Sequence, residues 1–161
     1  MAEGDAELGD LYRDVLLDYF RSASHKGRLP SPDVHSHGVN PLCGDEVDLT
    51  MSLDGERIGK IRYAGHGCVI SQASSAMMAE ALEGLPPARA RSLAAAFKEM
   101  MLSKASLESL PAELEALKSL EGVRKFPMRV KCATLAWNTL LQGLAAEQGK
   151  AGPGSEFQEV E

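Results

Sequence analysis

The stretch Glu46-Val47-Asp48-Leu49-Thr50-Met51-Ser52-Leu53 decides the fold. Val47, Leu49, Met51 and Leu53 alternate without a fault with Glu46, Asp48, Thr50 and Ser52, the two-residue period of a strand with one face on a core. Asp54-Gly55 follows, a dipeptide that tolerates the positive φ of a type I′ turn, and the chain returns through Arg57 to Tyr63 as the second arm of an antiparallel hairpin. Ile58 is out of phase with Ile61 and Tyr63, and Gly59 sits where the phase slips, so a bulge is expected there. A third strand, from about His66 to Ile70, would complete a small three-stranded antiparallel sheet.

On either side the period lengthens to that of helices. Leu8, Leu11, Tyr12, Val15, Leu16, Tyr19 and Phe20 form one apolar stripe before the sheet. Between Ser22 and Asn40 the composition turns to Ser, His, Gly, Pro and Asp, which reads as a long loop carrying His25, His35 and His37, the last two expected to be solvated. After the hairpin, Ser71 is a candidate cap for a helix carrying Ala73, Met77, Met78, Ala81 and Leu82 and stopped by Gly84, Pro86 and Pro87. A second helix follows from about Ala88 to Leu102, with Leu93, Phe97, Met100 and Met101 inward. Leu107, Leu110, Leu114, Leu117 and Leu120 trace a leucine-rich piece broken near Pro111, and Pro127 suits the first turn of a last helix that runs toward Gly149. The expected organisation is one domain over 1–148 and a Gly-rich, polar flexible tail over 149–161.

With 161 residues, 44% hydrophobic and 25% charged, the chain has the composition of an ordinary globular domain. A net charge of -6 argues against nucleic acid or an anionic membrane as partner, since phosphate binding needs clustered cations. No run approaches the roughly 20 apolar residues of a membrane span, and the first residues lack a secretory pattern, so a cytoplasmic location is expected. Three cysteines, Cys43, Cys68 and Cys132, cannot all pair within the chain, which directs attention to metal binding or thiol chemistry.

Four short pieces stand outside the amphipathic pattern: Asn40-Pro41-Leu42-Cys43-Gly44-Asp45, Gly65-His66-Gly67-Cys68-Val69-Ile70-Ser71, the small-residue run Ala73 to Met78, and Arg129-Val130-Lys131-Cys132. Cys43 and Asp45, two residues apart around Gly44, can present thiolate and carboxylate to the same side. Cys68 and Cys132 fall near expected helix starts, where the partial positive charge favours thiolate. Three thiolates and a carboxylate suit tetrahedral Zn²⁺, and the same soft set suits an iron–sulfur cluster. The plainer readings are a small buried hydrophobe for any single cysteine and a turn residue for Asp45, and spacings of 25 and 64 residues say nothing about proximity in space. His66 is left out of the ligand set, and the methionines read as core filler.

Taken together these motifs, with Arg129-Val130-Lys131-Cys132-Ala133-Thr134-Leu135-Ala136-Trp137, resemble the U-type iron–sulfur cluster assembly family over about residues 8–145. The leucine-rich piece lies between the second and third cysteines, where the SufU branch carries an insertion, and Lys131 stands where IscU-type scaffolds carry a histidine. The resemblance implies an α+β fold, a three-stranded antiparallel sheet with about five helices packed on one side. It also implies Zn²⁺ held by Cys43, Asp45, Cys68 and Cys132. The implied activity is sulfurtransferase-like: Cys43 accepts persulfide sulfur from a pyridoxal-phosphate cysteine desulfurase of SufS type, Arg129 steers the anionic sulfur, and downstream iron–sulfur assembly proteins receive it. The alternative it implies is a scaffold that binds iron and builds a transient [2Fe-2S] cluster. A monomer or weak homo-oligomer is expected in either case.

Overall fold

A computed structural model of the chain describes residues 2–103, 106–148 and 155–158. The hairpin is where the alternation puts it: strand β2, Asp45–Asp54, pairs antiparallel with β3, Arg57–His66. The loop consists of Gly55 and Glu56, with Gly55 at φ +69°. The slip in phase at Gly59 is a bulge, since Met51 pairs with Ile61 but Leu53 pairs with Ile58. The Ser52 hydroxyl accepts the Lys60 N–H at 2.8 Å, and a Cβ on Gly59 would stand 2.5 Å from that oxygen, so the extra residue folds over a side chain that leaves room only for hydrogen.

The third strand is not the one the sequence suggests. It is β1, Val34–Asn40, inside the expected loop, and it pairs antiparallel with β2 from Val34 opposite Met51 to Asn40 opposite Asp45. Its apolar signal is erased for a steric reason. The last helix, here α4 (Pro127–Gln148), lies so close to β1 that a Cβ on Gly38 would sit 1.9 Å from Thr139 Oγ1, and one on Gly143 would sit 2.9 Å from Ser36 Cβ. The inward positions must therefore be small, and Ser36 closes the contact by donating to the Thr139 carbonyl at 2.9 Å. The stretch from His66 to Ile70 divides instead: β3 ends at His66, and Val69 and Ile70 open helix α2, Val69–Leu82.

Helices α1 (Ala2–Arg21) and α3 (Pro87–Ser103) match their expected spans. The leucine-rich piece is not α-helical. A single turn at Leu107–Ser109 precedes a run of 3₁₀ turns over Ala112–Lys125, kinked at Leu114. Leu114, Leu117, Leu120 and Val123 are all buried, and their strict spacing of three is the period that a 3₁₀ helix eclipses on one face. Small residues let α2 meet α4 closely: Ser74 donates to the Ala133 carbonyl at 2.6 Å and accepts the buried Trp137 indole N–H at 3.0 Å, while Phe97 of α3 lies 4.7 Å from the Trp137 ring centre. Met77, Met78, Met100 and Met101 are buried here as core.

Among the described residues the structure thus has the three antiparallel strands and, with the two 3₁₀ stretches counted as one, the five helical pieces of an α+β fold. A fourth short strand, β4 (Ser155–Gln158), from the segment expected to stay unpacked, runs parallel to Ser36–Val39 on the free edge of β1. The rest of the expected flexible tail over 149–161 lies outside the described residues.

Gly65, at φ +129°, crosses β2 so closely that a Cβ would stand 2.2 Å from the Glu46 carbonyl oxygen. Left-handed backbone and a backbone clash combine there, so Gly65→Ala is expected to cost about 3 kcal/mol of stability. Urea unfolding of the purified variant measures it as a lowered midpoint at unchanged slope.

Candidate metal and thiol site

The ends of β1, β2 and β3 and the first turns of α2 and α4 meet at one corner. Cys43 sits in the turn from β1 to β2, where the Cys43 and Gly44 N–H groups both donate to the Asn40 carbonyl, at 3.2 and 2.9 Å, and Gly44 takes φ +75°. That turn points Cys43 outward and brings Asp45 inward as the first residue of β2, with no exposed surface. Cys68 caps α2 with its sulfur, which accepts the Ser71 N–H at 3.5 Å, the role the sequence suggests for Ser71. Cys132 lies on the buried side of α4, its thiol 3.7 Å from the Met128 carbonyl that also faces the Cys43 thiol at 3.9 Å.

The sulfurs of Cys43 and Cys132 and a carboxylate oxygen of Asp45 all lie within 4.8 Å of one another. The Cys68 sulfur stands outside that group but is hydrogen-bonded to the Cys132 thiol, and the Cys68 N–H donates to Asp45 Oδ1 at 3.0 Å. All four residues named from the sequence therefore meet at one place. Cys43 and Cys68 keep some exposure, and Cys132 is buried. Gly67 makes the approach feasible, since a Cβ there would press 2.6 Å from Asp45 Oδ1.

Electrostatics favour one shared proton. The hydrogen bond from Cys132, with the Ser71 and Ile70 N–H groups at the start of α2, pulls the Cys68 pKa down to about 6 against the opposing effects of burial and the Asp45 charge. Cys132 is pushed the other way, by its bond to Cys68 first and then by burial and by Asp45 and Cys43. Of this pair Cys132 keeps its proton and Cys68 is the one that ionises. Exposed Arg129 is the cation of the site: the charges of Cys68 and Cys132 and a hydrogen bond to Cys68 raise its pKa further.

The donor set fits a thiophilic ion. Asp45 Oδ2 is fully buried with no hydrogen-bond partner among the described residues, an arrangement that costs several kcal/mol unless something meets it, on the order of 1–3 kcal/mol even for a neutral group. Asn40, quoted in the motif but given no role from the sequence, belongs here too: its Nδ2 faces the Cys132 sulfur at 3.9 Å, and its Oδ1 is likewise buried without a partner. A groove of about 810 Å³ between α1 and the 3₁₀ segment, walled by Tyr12, Leu16, Ile70 and Phe126, opens onto Cys68 and Arg129.

Of the two histidines expected in solvent, His35 is exposed and His37 half-buried. Both lie on β1 and converge on Asp48, at 2.6 and 3.3 Å, where Arg28 also binds at 2.8 Å; against the effect of burial, the hydrogen bonds of Arg28, His35 and His37 hold the Asp48 carboxyl below its ordinary range. His25 pairs with Glu83 at 3.3 Å. Exposed His66 meets Glu46 at 3.1 Å.

An α+β domain with three cysteines and an aspartate gathered at the sheet's end defines a class, and residues 11–133 match the family described as the NifU-like N terminal domain, to which the chain belongs. The chain is 41% identical over 145 residues to the zinc-dependent sulfurtransferase SufU of Bacillus subtilis, covering 90% of this chain and 97% of that one. It is 40% identical over 141 residues to the iron–sulfur cluster assembly scaffold protein IscU of Streptococcus pyogenes, with 86% of each chain covered. The solved N-terminal NifU-like protein of Brucella abortus superposes with a TM-score of 0.80 over 88% of this chain and 97% of that one, at 21% identity, a likeness of fold.

In metal-free protein the shared proton has a direct reading. Thiolate at Cys68 grows as pH rises through about 6, so alkylation of Cys68 by iodoacetamide, followed by peptide mass spectrometry, should show a midpoint near that pH. Cys132→Ala removes the largest cause of the lowering and should move the midpoint upward.

Proposed function

We propose that this chain is a zinc-dependent sulfur acceptor in iron–sulfur cluster assembly, taking the outer sulfur of a cysteine persulfide onto Cys43. The observation that carries the reading is the convergence of the Cys43 and Cys132 sulfurs on the carboxylate of Asp45, which has one unpartnered buried oxygen and accepts the Cys68 N–H, at a corner where Cys43 stays partly exposed. Among relatives, the 41% identity to a protein named as a zinc-dependent sulfurtransferase supports it. Cys43, Asp45, Cys68 and Cys132 would hold the ion. Zinc bound there would keep its thiolate ligands deprotonated without redox chemistry of its own.

The chain's own residues supply the rest. The Cys43 thiolate attacks the outer sulfur of the donor persulfide, the donor's S–S bond breaks, and its electron pair leaves on the donor cysteine as thiolate. A persulfide anion then sits at Cys43, within the field of Arg129, whose exposed guanidinium suits a transferring sulfur anion. Asp45, buried and held by the Cys68 N–H, fixes the charge and shape of the pocket behind the reacting sulfur. The donor is a pyridoxal-phosphate cysteine desulfurase of SufS type, and work in the reducing cytoplasm belongs to this reading. Among the described residues no helix is long and apolar enough to cross a membrane.

A second reading, a scaffold on which iron and sulfide assemble a transient [2Fe-2S] cluster, is supported by the 40% identity to a protein named as such a scaffold. Stable, transferable cluster formed on reconstitution, with no sulfur acceptance, would decide for it.

Cys43→Ala is expected to lower sulfur acceptance in a desulfurase assay by roughly a hundredfold or more while the circular dichroism spectrum is kept. Asp45→Ala should weaken zinc retention by at least about tenfold, read as zinc per chain by elemental analysis after dialysis against a chelator.

A further inference from the structure

On the far side of α4 from the groove at Cys68 lies a second groove, between α3 and the first turns of α4, about 490 Å³ in volume. Lys98, Arg124 and Lys131 converge on it, no carboxylate lines it, and Leu102 forms its rim. Lys98 and Lys131 meet no carboxylate among the described residues, while Arg124 is held by the Met100 carbonyl at 3.3 Å and approaches Glu121 at 3.6 Å. In a chain of net charge -6 this is a local reversal of sign: the segment Arg124-Lys125-Phe126-Pro127-Met128-Arg129-Val130-Lys131 carries four cations and no acid.

The apolar surface follows the same line. Among the described residues five large apolar side chains stand more than half exposed: Leu11 57%, Leu42 55%, Leu102 71%, Phe126 59% and Met128 54%. Leu102 lines this groove, Phe126 lines the groove at Cys68, and the Met128 carbonyl faces the Cys43 thiol, next to Leu42 in sequence. Exposed Leu102 thus stands at the cationic groove, and the exposed Met128 and Leu42 belong to the segments that carry the Met128 carbonyl and the Cys43 thiol. Phe, Met and Arg at the surface are the residue types that protein interfaces enrich, and contiguous exposed apolar surface marks a contact site.

Resting on the sulfur-transfer reading, we infer that this groove receives an acidic segment of the sulfur-donating protein, its carboxylates entering between Lys98, Arg124 and Lys131 and an apolar side chain covering Leu102. Lys131 then has a use that its place in the motif conceals. It lines this groove, one helical step from Cys132, so a single turn of α4 gives Arg129 to the sulfur and Lys131 to the partner. Charges at such a rim act on encounter rather than on chemistry, and their effect is screened by salt.

The test is steady-state transfer of sulfur to the full-length, zinc-loaded chain from a SufS-type cysteine desulfurase, with chain concentration varied at low and high salt. The paired change Lys98→Glu with Lys131→Glu should raise KM for the chain about tenfold at low salt, leave kcat and zinc content at wild-type values, and flatten the salt dependence. Leu102→Asp should raise KM at both salt concentrations, and Lys98→Arg with Lys131→Arg should restore wild-type KM. Unchanged KM in the glutamate pair, with wild-type transfer intact, overturns the docking surface and leaves sulfur transfer standing. Wild-type chain that accepts no sulfur overturns the underlying reading and this inference with it. Saturable binding of inorganic phosphate that the glutamate pair abolishes, with KM unchanged, assigns the groove to a small anion and overturns the partner segment.

Discussion

A carboxylate with no exposed surface and one oxygen unmatched is the constraint around which this molecule is arranged. Asp45 is placed by the first ladder position of β2 opposite Asn40, and it is held from one side only, by the Cys68 N–H. An ionised group so placed is costly unless a counter-charge arrives, and the surrounding atoms are sulfur rather than ammonium or guanidinium. The fold spends three glycines on getting there: Gly44 bends the turn, Gly65 lets β3 cross β2, and Gly67 clears the carboxylate. None of these is required by the core. They serve the corner.

The sulfurs around that carboxylate are unequal, which gives the site a direction. Cys132 is buried and holds its proton, Cys68 ionises beside the N–H groups that open α2, and Cys43 lies partly exposed on a turn rather than on a helix. Sulfur arriving from outside meets Cys43 or Cys68 before Cys132. The cation that can follow a migrating negative charge, Arg129, is exposed, whereas the groups that fix the pocket, Asp45 and Asn40, are sealed. Moving parts face outward and fixed parts face inward, as an exchange site needs.

The hairpin, the bulge at Gly59 and the four α-helices are legible in the sequence because each has a wide apolar face whose period is free to declare itself. β1 is not, because Gly38 and Ser36 answer to the proximity of α4 and not to hydrophobicity, so the strand reads as loop. The 3₁₀ run is legible only in part: its leucine spacing of three was in plain view, but spacings of three also begin an α-helix. The four gathered residues could be proposed from motif and donor chemistry, yet spacing could not bring them together, and the resemblance to an assembly family did. Asn40 escaped because a buried amide beside a thiol has no signature of its own. The groove between α3 and α4 escaped because Lys98 is remote in sequence from Lys131, and only folding adds their charges.

α4 carries the thiol of Cys132 near one end and, within the next few turns, the Trp137 indole, the Thr139 carbonyl and the bare backbone at Gly143 that lock it against α2 and β1. The helix is therefore a lever whose fulcrum is the hydrophobic interior. A disturbance at Ser74 or Ser36, remote from any sulfur, swings the short arm and changes the distance between Cys132 and the Asp45 carboxylate. The tolerance with which an ion is gripped at the corner is set by the fit of hydrocarbon and hydroxyl groups in the middle of the protein.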